Sequence, residues 1–233
     1  MKPLMIAHRG DRINFPENTI EAFASAFEKG ADGVEMDLQF ARGNLVIVHD
    51  YMFDERKKYP FLSEALDLFA KRGRLEIEIK SMDLDFLPSF KKLLSQYGKA
   101  NVEITTSVYP LVKYLRQEFP KVSIGIIYNE KEFEWWMDGK FINNKIVKYT
   151  KLYQANVAHV PWKAASREMA DQCHKNNLKL HSHILKQSLS KQIRTYREMR
   201  EAGIDQCTFD DIFVLQAIKR STQYPNGRLS YNT

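Results

Sequence analysis

Two short runs in this chain place acids where a buried strand would ordinarily carry aliphatics. In GVEMDLQF (33–40), strand alternation puts Val34, Met36 and Leu38 on one face and Glu35, Asp37 and Gln39 on the other. In LEIEIK (75–80), Leu75, Ile77 and Ile79 oppose Glu76, Glu78 and Lys80 in the same way. Carboxylates spaced so closely on an inward face repel one another and are costly to desolvate, and a cation between them removes both problems. A first apolar run ends in His8-Arg9-Gly10, and LVIVHD brings His49 to the end of another. Oxygen-only ligands fit a hard divalent cation, Mg²⁺ or Ca²⁺, better than zinc. Arg9 as a fork and Lys80 as a point charge beside that cation suit a phosphate. Two histidines flanking the same place suit a base on one side and an acid on the other. Together these residues describe phosphoester chemistry, in which phosphoryl charge is held while a leaving oxygen is protonated.

Each motif alone has a plainer reading. Glu-x-Asp occurs on exposed edge strands, and a lone strand histidine is ordinarily a satisfied core residue. The site reading rests on an apolar opposite face appearing in both acidic runs.

The elements that must position these residues alternate along the chain. Strand candidates are 4–9, 33–39, 75–80, 102–107, 123–128, 156–162, 179–185 and 206–210. Helix-like segments include 19–29, 62–71, 84–97, 111–118, 166–175 and 188–202, and one more apolar run, 45–48, follows the second strand. Such alternation implies parallel strands joined by crossover helices. Eight units predict an α/β fold, a (β/α)8 TIM barrel at its compact end, in which polar strand ends converge on the C-terminal face. A doubly wound open sheet is the alternative, weakened because no Gly-rich phosphate loop follows the first strand. One barrel domain over 1–220 and a polar, frayed tail over 221–233 are expected.

The chain has 233 residues, 44% of them hydrophobic, enough for a full core. Cys173 and Cys207 fit neither a disulfide framework nor a zinc spacing, so a reducing, cytoplasmic setting is expected. The N-terminus lacks a signal-peptide pattern, and no run approaches the roughly 18 apolar residues of a membrane span. The net charge of +6 is compatible with an anionic substrate, but the surplus sits on helix-like segments among acids, as on a solvated surface. No basic stripe with interleaved aromatics suggests a nucleic-acid partner.

With these residues in hand, the sequence resembles the glycerophosphodiester phosphodiesterase family. The matching series is HRG (8–10), PENT (16–19), AF (22–23), GADGVEMDL (30–38), VIVHD (46–50), PFLSEALDL (60–68) and LEIEIK (75–80), with GIDQCTFDD (203–211) as a looser echo near the end. The resemblance implies a (β/α)8 barrel and a divalent cation on Glu35, Asp37 and Glu78. It also implies His8 and His49 as the acid/base pair, Arg9 and Lys80 on the phosphate, and Glu17 near the cluster in support. Pro16-Glu17 reads equally well as ordinary helix N-terminal chemistry. The implied reaction hydrolyses a small-molecule glycerophosphodiester to glycerol 3-phosphate and an alcohol.

The chain also departs from the family pattern. Only YMFDERKKY (51–59) separates His49-Asp50 from Pro60, so the usual cap insertion is nearly absent and preference for a small glycerol head is in question. The seventh strand reads His181-Ser182-His183-Ile184, with both histidines on one face. They could form a metal pair, but no cysteine or third histidine is obvious nearby, so a polar pocket wall is expected. His159 and His174 read as ordinary strand and helix residues. Trp135-Trp136-Met137 is expected to pack a helix onto the barrel, the alternative being an exposed edge for a lipid or partner. Two rival functions remain: a phospholipase D-like enzyme acting on lysophospholipids, with or without release of a cyclic phosphate, and a non-catalytic barrel that binds phosphorylated ligands.

Overall fold

In the computed structural model, which describes residues 2–54, 56–81, 84–134 and 136–223, each expected strand forms and all but one lead to a parallel neighbour through a helix. Eight parallel strands close on themselves: β1 (Leu4–Ala7), β2 (Gly33–Ala41), β4 (Arg74–Ile79), β5 (Val102–Thr106), β6 (Ser123–Ile127), β7 (Val157–Pro161), β8 (Lys179–Ile184) and β9 (Gln206–Phe209). Closure comes from β1, which pairs with β2 on one side and β9 on the other. The outer layer is α1 (Ile20–Glu28), α2 (Leu62–Phe69), α3 (Phe86–Ser95), α4 (Tyr109–Glu118), α5 (Gly139–Leu152), α6 (Arg167–Lys175), α7 (Leu189–Ala202) and α8 (Phe213–Gln223). This is the (β/α)8 TIM barrel the alternation predicts.

The extra apolar run is β3 (Asn44–Ile47), an antiparallel partner of β2 outside the eight barrel strands. Arg42 and Gly43, both with positive φ (49° and 78°), make the two-residue turn between them. A further bond from the Val48 N–H to the Asp37 carbonyl (2.9 Å) extends the pairing and delivers His49 beside the end of β2.

The apolar faces read from the sequence pack under the helices: Val34, Met36, Leu75 and Ile77 are fully buried against the helical layer. Helix α1 begins where Thr19 caps the Ala22 N–H, as the PENT motif suggests. Helices α5 and α8 fall outside the segments read as helical, although α5 buries a regular i, i+3, i+4, i+7 stripe of Asn143, Ile146, Val147 and Thr150. Two polar residues in that stripe mask its periodicity, and Thr150 is tolerated inside because its hydroxyl bonds the Tyr128 hydroxyl at 2.9 Å. Helix α8 runs to Gln223, into the stretch expected to fray, and the tail beyond it (224–233) lies outside the described residues. Between His49 and Pro60 the described residues form no helix or strand. Cys173 and Cys207 are buried free thiols. Among the described residues no helix is long and apolar enough to cross a membrane.

Candidate active site at the C-terminal barrel face

Strand β1 stops at Ala7, and the next residues turn sharply. Arg9 (φ 57°) and Gly10 (φ 80°) both adopt left-handed backbone, so His8 and Arg9 face the site together, which strand alternation would forbid. Gly10 meets two demands at once: a side chain there would be strained at that φ, and a Cβ would stand 2.7 Å from the backbone of Ala22 in α1. The turn aims the Arg9 N–H at Glu35 Oε2 (3.0 Å).

Glu35 and Asp37 from β2 and Glu78 from β4 each offer a carboxylate oxygen, and these atoms lie within 4.8 Å of one another. Asp37 is fully buried and Glu35 nearly so. Asp37 Oδ2 accepts from the Asn18 amide (2.8 Å) and pairs with Arg9 Nε (2.9 Å), while Oδ1 pairs with Lys80 Nζ (3.2 Å). The Lys80 ammonium also donates to Glu78 Oε1 (2.7 Å). Three carboxylates thus face two side-chain cations. Burial, reinforced by the charges of Asp37 and Glu78, pushes the Glu35 carboxyl well up. For Asp37 burial acts in the same sense but is outweighed by Lys80 and Arg9, so its carboxyl is held down. Glu35 Oε1 is buried without a hydrogen-bond donor. An orphaned carboxylate oxygen, in a cluster one charge short of neutrality when all three acids are ionised, fits a hard divalent cation, whose charge would hold Glu35 ionised and leave a net positive place for a phosphate.

His8 stands to one side of this cluster. Its Nδ1 contacts Asp210 Oδ1 at 2.8 Å and its Nε2 lies 3.9 Å from Glu35 Oε2. Burial would raise the Asp210 carboxyl, but the bonds from His8 and the Lys186 N–H hold it at about 2. Asp210 holds the His8 ring through Nδ1 and so turns Nε2 toward the carboxylate cluster. Arg12 adds a bond to Asp210 (2.9 Å) and another to Glu17 (2.9 Å). Glu17 also accepts from Arg9 (2.7 Å), so it tethers the two arginines at the rim. His49 makes no short contact with the carboxylates. It sits half-exposed just beyond the end of β3, with Asp50 on its Nδ1 (3.0 Å).

Residues 8–58 match the model of the glycerophosphoryl diester phosphodiesterase family. A glycerophosphodiester phosphodiesterase of Caldanaerobacter subterraneus is 32% identical over 172 residues, covering 58% of this chain and 71% of the relative. The chain belongs to the glycerophosphodiester phosphodiesterase family. Solved structures agree on the fold. The glycerophosphodiester phosphodiesterase of Thermotoga maritima superposes with a TM-score of 0.71 at 20% identity, over 94% of this chain and 99% of its own. A phosphodiesterase of Oleispira antarctica, solved in complex with sn-glycerol-3-phosphate, gives 0.75 at 16% identity over 93% and 97%.

For a member of this family, the barrel interior below the carboxylates holds a second polar layer. Glu76, Glu103, His159, His181 and Gln206 are all buried there. The register explains the grouping: Glu76 pairs across with Glu103, and His159, His181 and Gln206 stand level on β7, β8 and β9. His183, two residues above His181, contacts His159 Nδ1 through its Nε2 (3.2 Å). The expectation that His181 and His183 lack a third histidine is therefore corrected, and His159 is no ordinary strand residue. Its distance in sequence hid it, since only the parallel register of β7 on β8 sets it level with His181. Asp210, Arg12 and Asn18 were also left out of the expected site. Asp210 carried a usable signal, because it stands at a strand's C-terminal end, as His8 does. Trp136 is exposed and packs on Phe141 of α5 (ring centroids 5.6 Å) rather than on the barrel, and Trp135 lies outside the described residues.

Proposed function

We propose that this chain hydrolyses small glycerophosphodiesters to glycerol 3-phosphate and an alcohol, using a divalent cation on Glu35, Asp37 and Glu78. The observation that carries the reading is the convergence of those carboxylates with Arg9, Lys80 and the Asp210-anchored His8 at one barrel face. A bound cation would neutralise developing charge on the phosphoryl oxygens. Arg9 and Lys80 orient the phosphate. His8 and His49, each with a carboxylate on Nδ1, present Nε2 to the reacting groups. One takes the proton of the substrate hydroxyl that attacks phosphorus, and the other protonates the departing alcohol oxygen. Water then opens the cyclic phosphate with the roles reversed.

Phosphorus NMR on the purified protein with glycerophosphoethanolamine and a lysophospholipid tests this reading, in parallel tubes holding Mg²⁺, Ca²⁺ or chelator. The expected result is glycerol 3-phosphate formed only with a cation. A cyclic phosphate accumulating from the lysophospholipid would replace it with the phospholipase D-like activity. Unchanged spectra in every tube would overturn it in favour of a binding barrel.

A further inference from the structure

We propose that Glu76, His159, His181 and His183 form a second metal site, a four-ligand zinc site inside the barrel below the carboxylate cluster. One donor atom from each of the four lies within 4.8 Å of the others. Three of the separations are His159 Nδ1 to His183 Nε2 at 3.2 Å, His159 Nδ1 to Glu76 Oε1 at 3.5 Å, and His181 Nδ1 to Glu76 Oε2 at 3.5 Å. A tetrahedral zinc ion with nitrogen and oxygen ligands at about 2.0–2.1 Å spaces those ligands about 3.3–3.4 Å apart.

The surroundings orient lone pairs into this space. His159 gives its Nε2 to Glu103 Oε1 (2.9 Å). Glu103 also accepts from Arg74 and Ser123 through its other oxygen, so it is set as the acceptor of the His159 Nε2–H. The His159 lone pair is thereby placed on Nδ1, facing Glu76. For His181, Thr208 takes Nε2 (2.6 Å) and the Gln206 amide donates to Nδ1 (3.1 Å), which again puts the lone pair on Nδ1. Two lone pairs and a carboxylate converge with no positive group among them. Glu76 Oε2, on a residue only 1% exposed, has no hydrogen-bond donor. A buried acceptor of that kind calls for a cation or a proton.

The donor set selects the metal. Three imidazoles and one carboxylate suit zinc, whereas the all-oxygen cluster above suits Mg²⁺ or Ca²⁺. The Glu103–His159 pair supplies the outer carboxylate that zinc-bound histidines typically have, and Glu103 is itself fixed by Arg74 (2.6 Å) and Ser123 (2.9 Å). With Glu76 in the fourth position no coordination place remains for substrate, so the ion braces β4 against β7 and β8 rather than hydrolysing anything. On zinc binding the Gln206 amide leaves His181 and keeps its bond to Glu103 Oε1 (3.1 Å).

Titrating tag-free, metal-stripped protein with Co²⁺ in saturating Mg²⁺ tests the site without any substrate. The expected result is one equivalent bound with the intense visible band of four-coordinate cobalt, displaced by Zn²⁺. Zinc should also raise the unfolding midpoint by several degrees. His183→Ala, at a partly exposed position, and His181→Gln should abolish the band, while Glu35→Gln keeps it. Absence of a four-coordinate band in the wild-type protein would overturn the proposal, as would a band surviving in folded His183→Ala. Either result would identify the layer as a proton-satisfied polar network.

Discussion

The two polar layers of this barrel start from the same strand and end differently. Glu78 and Glu76 lie two residues apart on β4, both facing inward. Glu78 joins a rim where carboxylates meet Arg9 and Lys80 at the strand ends, the side chains of Glu78 and Lys80 keeping some exposure. Glu76 joins a sealed layer of histidines, Glu103 and Gln206, where branched aliphatics would usually fill a barrel. The rim gathers unlike charges that neutralise one another only in part. The lower layer buries imidazoles hydrogen-bonded to their neighbours, with burial pushing His181 and His183 well below the ordinary imidazole range. The difference is one of setting, with opposite charges gathered at the strand ends and hydrogen-bonded rings deeper in the barrel.

The largest effect that would sharpen this contrast is at the rim. His8→Ala should lower kcat about a thousandfold, the usual scale for a lost acid/base group, with an unfolding curve close to wild type. Near-normal turnover in the folded variant would break the division of labour. In the lower layer the opposite pattern is expected from Gly125→Ala. A Cβ at Gly125 would fall 2.5 Å from His159 Nε2, so this β6 glycine is what admits the ring. Overpacking of that kind should cost about 1–3 kcal/mol in chemical denaturation. An unchanged midpoint would mean that the histidine layer yields easily.

A smaller effect is expected from Asn18→Ala, which removes the amide holding Asp37. Cation affinity measured by calorimetry should fall about tenfold, the lower end for loss of a partner behind a metal ligand. The least is expected from Asp210→Asn under acid. Its folded carboxyl sits at about 2, below its ordinary value of 3.8. A depressed folded value means its contribution is present above pH 4 and fades as pH falls toward 2. Acid unfolding of the variant should therefore be flatter across that window, and identical curves would show that the His8–Asp210 contact carries no stability.

Much of the rim was legible because its signals are local. The alternation in LEIEIK and GVEMDLQF named Glu35, Asp37, Glu76 and Glu78 as inward residues, and Glu35, Asp37 and Glu76 are buried while Glu78 joins the first two at the rim. Glu103 follows the same rule in VEITT, where Thr105 shares its face, and was missed for want of a neighbouring motif. Helix α5 was missed because its buried stripe carries Asn143 and Thr150, whose polarity is offset by a contact no window of sequence contains.

The sequence by itself determined the order of strands and helices and the face on which each strand side chain lies, because both follow from periods of two and 3.6 residues along one segment. Tertiary structure alone decided which inward residues meet. The left-handed turn at Arg9-Gly10 brings two adjacent residues to one site, and barrel closure sets Asp210 against His8 and His159 against Glu76. Those pairings depend on register across strands up to 202 residues apart, a quantity that no local period encodes.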